Sequence, residues 1–92
     1  MQRECRRVYY SGQVQGVGFR FTARQLARGF DVAGYVRNLP DGRVELVAEG
    51  EPAEIDRFLQ AVRDEMGYFI RDVMIESCPS PPEPFTGFTI RH

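Results

Sequence analysis

The stretch from residue 43 to residue 67 changes its hydrophobic period once, and that change restricts the fold more than any other feature. Arg43 to Glu49 alternates, with Val44, Leu46 and Ala48 on one face. From Pro52 the period lengthens: Ile55, Phe58, Leu59, Val62 and Met66 lie at i, i+3, i+4, i+7 and i+11. A period of two lines one face of a strand, and a period near 3.6 lines one stripe of a helix. Each apolar side needs a second layer to cover it, so a helix lying on a sheet is predicted. Pro52 suits the first helical position, where its missing N–H is no loss, and Gly67 stands where the helix should stop.

The same change of period occurs earlier. Val8, Tyr10, Gly12 and Val14 alternate against Tyr9, Ser11 and Gln13, which predicts a strand over residues 6 to 14. Phe19, Ala23, Leu26, Ala27 and Phe30 then fall on one helical face, with Gly29 near its end. Residues 32 to 38 read as a second strand, and Pro40-Asp41-Gly42 turns it into the strand at 43 to 49 as a hairpin. Residues 69 to 77 read as a strand with Val73 and Ile75 inward. Pro79 to Pro84 holds four prolines in six residues and must be an extended loop. Phe85 to Arg91 is a last short strand. The order β-α-β-β-α-β, with a short extra C-terminal strand, predicts an α+β, ferredoxin-like sandwich: one antiparallel sheet with two helices on one face. At 92 residues and 42% hydrophobic, the chain suits one domain, 1–92, with one small core.

Composition removes several kinds of chemistry. All twelve basic residues are Arg, so neither a Schiff-base lysine nor a phosphate-loop lysine is available. The only His is His92, which argues against a His-based triad or a His-rich metal site. Cys5 and Cys78 are too few for a zinc site. Six residues beyond them stand Ser11 and Pro84, not the Arg of a phosphatase with a cysteine nucleophile. The net charge of −1 argues against a nucleic-acid partner. The charged start leads into no long apolar run, so neither a leader peptide nor a spanning helix is predicted, and a cytoplasmic protein is expected.

Between the first strand and first helix runs Gly12-Gln-Val-Gln-Gly-Val-Gly-Phe-Arg20. Gly16 and Gly18 allow the backbone to curl so that successive N–H groups converge, and the first N–H groups of a helix lack internal partners. Such a nest binds an anion, assisted by the helix dipole. Arg20 adds a planar fork suited to two phosphate oxygens. A cation in a first turn opposes the dipole, which marks Arg20 as a candidate for function. A glycine-rich turn followed by an exposed Arg is the plainer reading of the loop alone. Asn38, the sole Asn, ends the second strand beside a turn that favours Asn anyway. It belongs to the same sheet, so its amide could approach the loop and hold a water.

Together the two segments resemble the acylphosphatase family. Val14 to Arg20 is similar to that family's Val-Gln-Gly-Val-x-Phe-Arg phosphate cradle. Gly34-Tyr-Val-Arg-Asn38-Leu-Pro-Asp41-Gly42-Arg-Val44 is similar to its Gly-Trp/Tyr-Val-x-Asn-x-x-Asp-Gly-x-Val, and Phe85-Thr-Gly-Phe88-Thr-Ile90 to its final strand. The resemblance implies metal-free and cofactor-free hydrolysis of an acyl phosphate to carboxylate and inorganic phosphate, the latter also an inhibitor. It implies that Arg20 binds phosphate, that Asn38 positions water, and that Gln15, Gly16, Val17, Gly18 and Phe19 supply cradle N–H groups. Leu39 stands where many members carry Thr or Ser, and Met66 to Arg71 lacks a Gly-Pro-Pro-like stretch. A monomer without a membrane partner is expected.

Two other functions stay open at this stage. A non-catalytic domain binding phosphate or carbamoyl phosphate would share the motifs, since acylphosphatase-like domains also occur inside larger carbamoyl-transfer proteins. That the chain stops with the domain favours the free-standing enzyme. An RNA-binding sheet of the same topology would carry aromatics on its third strand, and residues 43 to 49 have none. Cys5 opens the first strand and Cys78 closes the last main one; these are antiparallel neighbours in the predicted sheet. Proximity would permit a disulfide, whereas a cytosolic setting predicts two reduced thiols.

Overall fold

The computed structural model describes residues 3–92; Met1 and Gln2, on which the reading of the chain's start partly rests, lie outside the described residues. The elements are β1 (Glu4–Gly12), α1 (Phe19–Ala27), β2 (Val32–Asn38), β3 (Val44–Gly50), α2 (Pro52–Met66), a 3-10 turn (Gly67–Phe69), β4 (Ile70–Ser77) and β5 (Phe88–Arg91). They follow the predicted order, and the sheet runs β4-β1-β3-β2-β5. Four strands are antiparallel, whereas β5 pairs in parallel with β2, so the sheet is mixed rather than wholly antiparallel. The cause is the route of the chain. β4 ends on one edge of the sheet, running opposite to β2. A segment that crosses to the far edge must reverse, and so runs alongside β2.

The apolar stripes meet as their periods require. Val8, Tyr10, Val36, Val44, Leu46 and Ala48 from the sheet are buried against Phe19, Ala23 and Ala27 of α1 and Ile55, Phe58, Val62 and Met66 of α2. β1 stops at Gly12, two residues short of its predicted end, because the pairing with β4 shifts register between Ser11 and Gly12. There a Cβ would stand 2.5 Å from the Phe69 carbonyl oxygen. Val14, placed in the strand by its spacing, instead plugs the core from the following loop. Ile75 corrects the expectation of an inward residue: it pairs with buried Val8 but is 53% exposed. β4 is an edge strand, and α2 does not extend over it there.

The crossing segment covers the face of the sheet away from the helices. Phe85 and Cys78 pack on Cys5, Tyr35 and Val47, with the Phe85 and Tyr35 rings 6.0 Å apart. All of β3 is therefore buried, including Glu45 and Glu49, which its alternation would leave on an open face. Glu45 is compensated by Arg37 Nε at 2.6 Å and Arg7 Nε at 3.5 Å. A buried carboxylate requires such partners. Burial first, and the Glu45 carboxylate second, push the Tyr35 phenol up.

Cys5 and Cys78 form a disulfide, against the expectation of reduced thiols. β1 and β4 are paired up to Arg6 and Ser77, so the next residues face one another; their Cα atoms are 5.2 Å apart and Cys78 N–H donates to Cys5 O. Proximity, which the topology imposes, prevails over the argument from compartment. The bridge closes a long loop, with a sequence separation of 73 residues. Replacing both cysteines by Ala is expected to lower stability by about 2–4 kcal/mol. Chemical denaturation of the oxidised protein and the double variant checks this, and coincident midpoints would contradict it.

Candidate active site

The loop joining β1 to α1 is pinned by apolar side chains and shaped by glycines. Val14 and Phe19 are buried, and Val17 packs against the core. The Phe19 ring lies 4.9 Å from that of Tyr10. Between these anchors Gly16 and Gly18 take φ of 77° and 79°. A Cβ at either would meet nothing within 4 Å, so the left-handed backbone, not crowding, requires glycine here. Gly18 caps α1 without a side-chain hydrogen bond, and no acidic residue occupies the first turn. The first helical hydrogen bond runs from Thr22 N–H to Gly18 O at 2.9 Å. The N–H groups ahead of Thr22 therefore have no helical acceptor, and the positive end of the dipole is uncompensated.

A cavity of about 180 Å³ opens in front of this helix start. Gly16, Gly18, Phe19 and Arg20 form one wall, Asn38 comes from the end of β2, and Ile90 and His92 come from β5 and the residue after it. Five residues singled out in the sequence thus share one cavity. Gln15 and Val17 do not line it. Gln15 Nε2 instead donates to Leu39 O at 2.8 Å and Arg43 O at 3.0 Å, tying the glycine loop to the turn that follows Asn38. His92, whose being the only His argues against a triad or a His-rich metal site, lines the cavity as well. Its only signal would be the parallel register Val36↔Ile90 and Arg37↔Arg91, which continues one step to Asn38 and His92. Nothing local in the sequence announces that register.

The charge of the cavity is one-sided. No Asp or Glu among the described residues lines it. Among the described residues Arg6, Arg7, Arg37, Arg43 and Arg57 each face a carboxylate, whereas Arg20 faces none. Its side chain instead meets His92, with Nη1 3.4 Å from Nδ1. The nearby acid of the hairpin turn, Asp41, is engaged elsewhere. It accepts from Arg43 N–H at 3.0 Å and Arg43 Nε at 2.9 Å, and these bonds hold its carboxyl below the usual range. No three His, Cys, Asp or Glu side chains gather as metal ligands among the described residues. Backbone donors, an Arg fork and an amide suit a small anion with a water beside it.

Fold and cavity together define an α+β sandwich of the ferredoxin-like kind with an arginine-lined cavity at the start of its first helix. The acylphosphatase family model matches residues 6–90. An acylphosphatase of Yersinia pseudotuberculosis is 39% identical over 84 residues, 91% of each chain. One of Archaeoglobus fulgidus is 55% identical over 56 residues, a match spanning 61% of this chain and 63% of that protein. The crystal structure of the acylphosphatase from Bacillus subtilis superposes with a TM-score of 0.86 at 32% identity, covering 99% of this chain and 100% of that one. The chain belongs to the acylphosphatase family and is an enzyme of that type. No helix among the described residues is long and apolar enough to cross a membrane.

Proposed function

We propose that the cavity holds the phosphoryl group of an acyl phosphate and directs water onto phosphorus. The observation that carries this is the meeting of Arg20, Asn38 and the two left-handed glycines in one cavity without a carboxylate. The water oxygen bonds to phosphorus as the bond from phosphorus to the acyl oxygen breaks. The carboxylate leaves with the electron pair, and the water's proton passes to a phosphate oxygen. A carboxylate is a stable leaving group, so no general acid is needed. The transition state of such a transfer is loose, and catalysis rests on positioning and charge stabilisation. The N–H groups of Gly16, Gly18 and Phe19 and the Arg20 fork supply the charge. Asn38 can accept from the water and donate to its neighbour, which aligns it opposite the leaving group. Among the described residues the wall offers no Ser, Thr, Cys, Asp or Glu as a nucleophile, which favours direct attack by water.

Steady-state hydrolysis of acetyl phosphate, compared with phenyl phosphate and repeated in EDTA, tests this reading. The anhydride should turn over while the monoester stays about a thousandfold slower, since phenolate is the poorer leaving group and no acid assists it. EDTA should change neither rate. Phosphate binding without turnover would instead identify a non-catalytic binder. A variant follows from the loop geometry. Gly18→Ala forces a side chain into the left-handed region and is expected to cost about 1–2 kcal/mol of stability. It should also weaken inhibition by inorganic phosphate several-fold. Unchanged inhibition would show that the Gly18 conformation does not shape the cradle.

A further inference from the structure

We infer that His92 is a positioning residue for Arg20, holding the guanidinium fork toward the cavity without neutralising it; this rests on the phosphate-binding role proposed above. Three observations converge. The ring reaches the cavity that Arg20 and Asn38 line, carried there by the parallel pairing of β5 with β2. Its Nδ1 lies 3.4 Å from Arg20 Nη1, and no carboxylate faces that guanidinium among the described residues. Arg20 also sits in a first helical turn that contains no acid, where the dipole pushes a cation outward.

The chemistry of the contact follows from its donor. A guanidinium only donates, so Nδ1 must accept and the ring proton must reside on Nε2. A carboxylate in this place would hold Arg20 more strongly. It would also cancel the charge that the phosphoryl group needs and would have to be displaced before binding. A neutral imidazole restrains the fork's direction and leaves its charge intact. A protonated ring would have no accepting lone pair and would set two cations together. Arg20 is the charged side chain that shares the cavity wall with His92, and Asn38 from β2 is uncharged. The adjacent Arg91 is turned away and stacks on Tyr35, 3.9 Å from the ring centroid.

The test compares wild type with His92→Phe and His92→Gln, reading kcat, KM and inhibition by inorganic phosphate across pH, with thermal unfolding as a folding control. Phe fills space but accepts nothing; Gln accepts and does not titrate. His92→Phe is expected to raise KM and the phosphate inhibition constant by about 3–10-fold, the ordinary worth of one hydrogen bond. His92→Gln should return both to within about twofold of wild type, since its amide restores the acceptor. It should also make phosphate inhibition less dependent on pH than in wild type, because an amide gains no proton. Wild-type constants in His92→Phe, or a Gln variant as impaired as Phe, would overturn the inference. Should wild type itself hydrolyse no acyl phosphate, the proposed function fails, which is a different outcome. A His92→Phe protein that does not fold leaves the decision to the Gln variant's pH profile.

Discussion

Arg20→Ala is expected to lower kcat/KM for an acyl phosphate by about a thousandfold or more, the scale set by removal of an arginine that stabilises a phosphoryl transition state. Both parameters should suffer. In the proposed mechanism the fork binds phosphate in the ground state and also meets the charge that spreads over the equatorial oxygens during transfer. Arg20→Lys should recover part of the affinity and little of kcat, because an ammonium is a point charge without the bidentate fork. The same change should hardly touch stability. Arg20 faces no carboxylate among the described residues and lies in a first turn where a cation is disfavoured. Loss of activity with an unchanged unfolding midpoint is therefore the expected signature. Activity within tenfold of wild type would remove Arg20 from the site.

Asn38→Ala should separate binding from chemistry. Inhibition by inorganic phosphate is expected to stay within about twofold, while kcat falls by about a thousandfold, the upper part of the range for loss of one preorganised polar group. The reason is location. The cradle donors and Arg20 belong to the β1–α1 loop and α1, whereas Asn38 approaches from β2 across the cavity. Its backbone is paired with Val44, a pairing alanine can keep, so the strand should persist. If phosphate affinity collapsed together with turnover, Asn38 would be part of the cradle rather than the group that aligns water. If kcat were unchanged, water would need no alignment by this residue.

What could be read from the sequence was what depends on neighbours along the chain. The α2 stripe, the hairpin at Asp41-Gly42 and the left-handed glycines at 16 and 18 are set by local period and backbone allowance. All appear where expected. Arg20 was legible because it violates a helix rule, and Asn38 because the hairpin fixes its place. What escaped depends on the path of residues 78 to 87. That segment crosses the helix-free face, covers β3, and turns β5 parallel to β2. The burial of Glu45 and the arrival of His92 both follow from that path. Prolines reveal that such a segment is extended but not where it goes. The disulfide follows from the pairing of β1 with β4, and it overturns only the expectation of reduced thiols. Ile75 was misplaced because period reveals which face a side chain takes, not whether a helix extends over it.

The central claim is that water attacks phosphorus, guided by Asn38 into a cradle completed by Arg20. A single turnover of acetyl phosphate in ¹⁸O-labelled water, with enzyme in excess and products read by mass spectrometry, tests it most directly. The account requires one label in the inorganic phosphate and none in the acetate. Label in the acetate would mean attack at the acyl carbon, and a cradle built around phosphorus would then be the wrong description of this site.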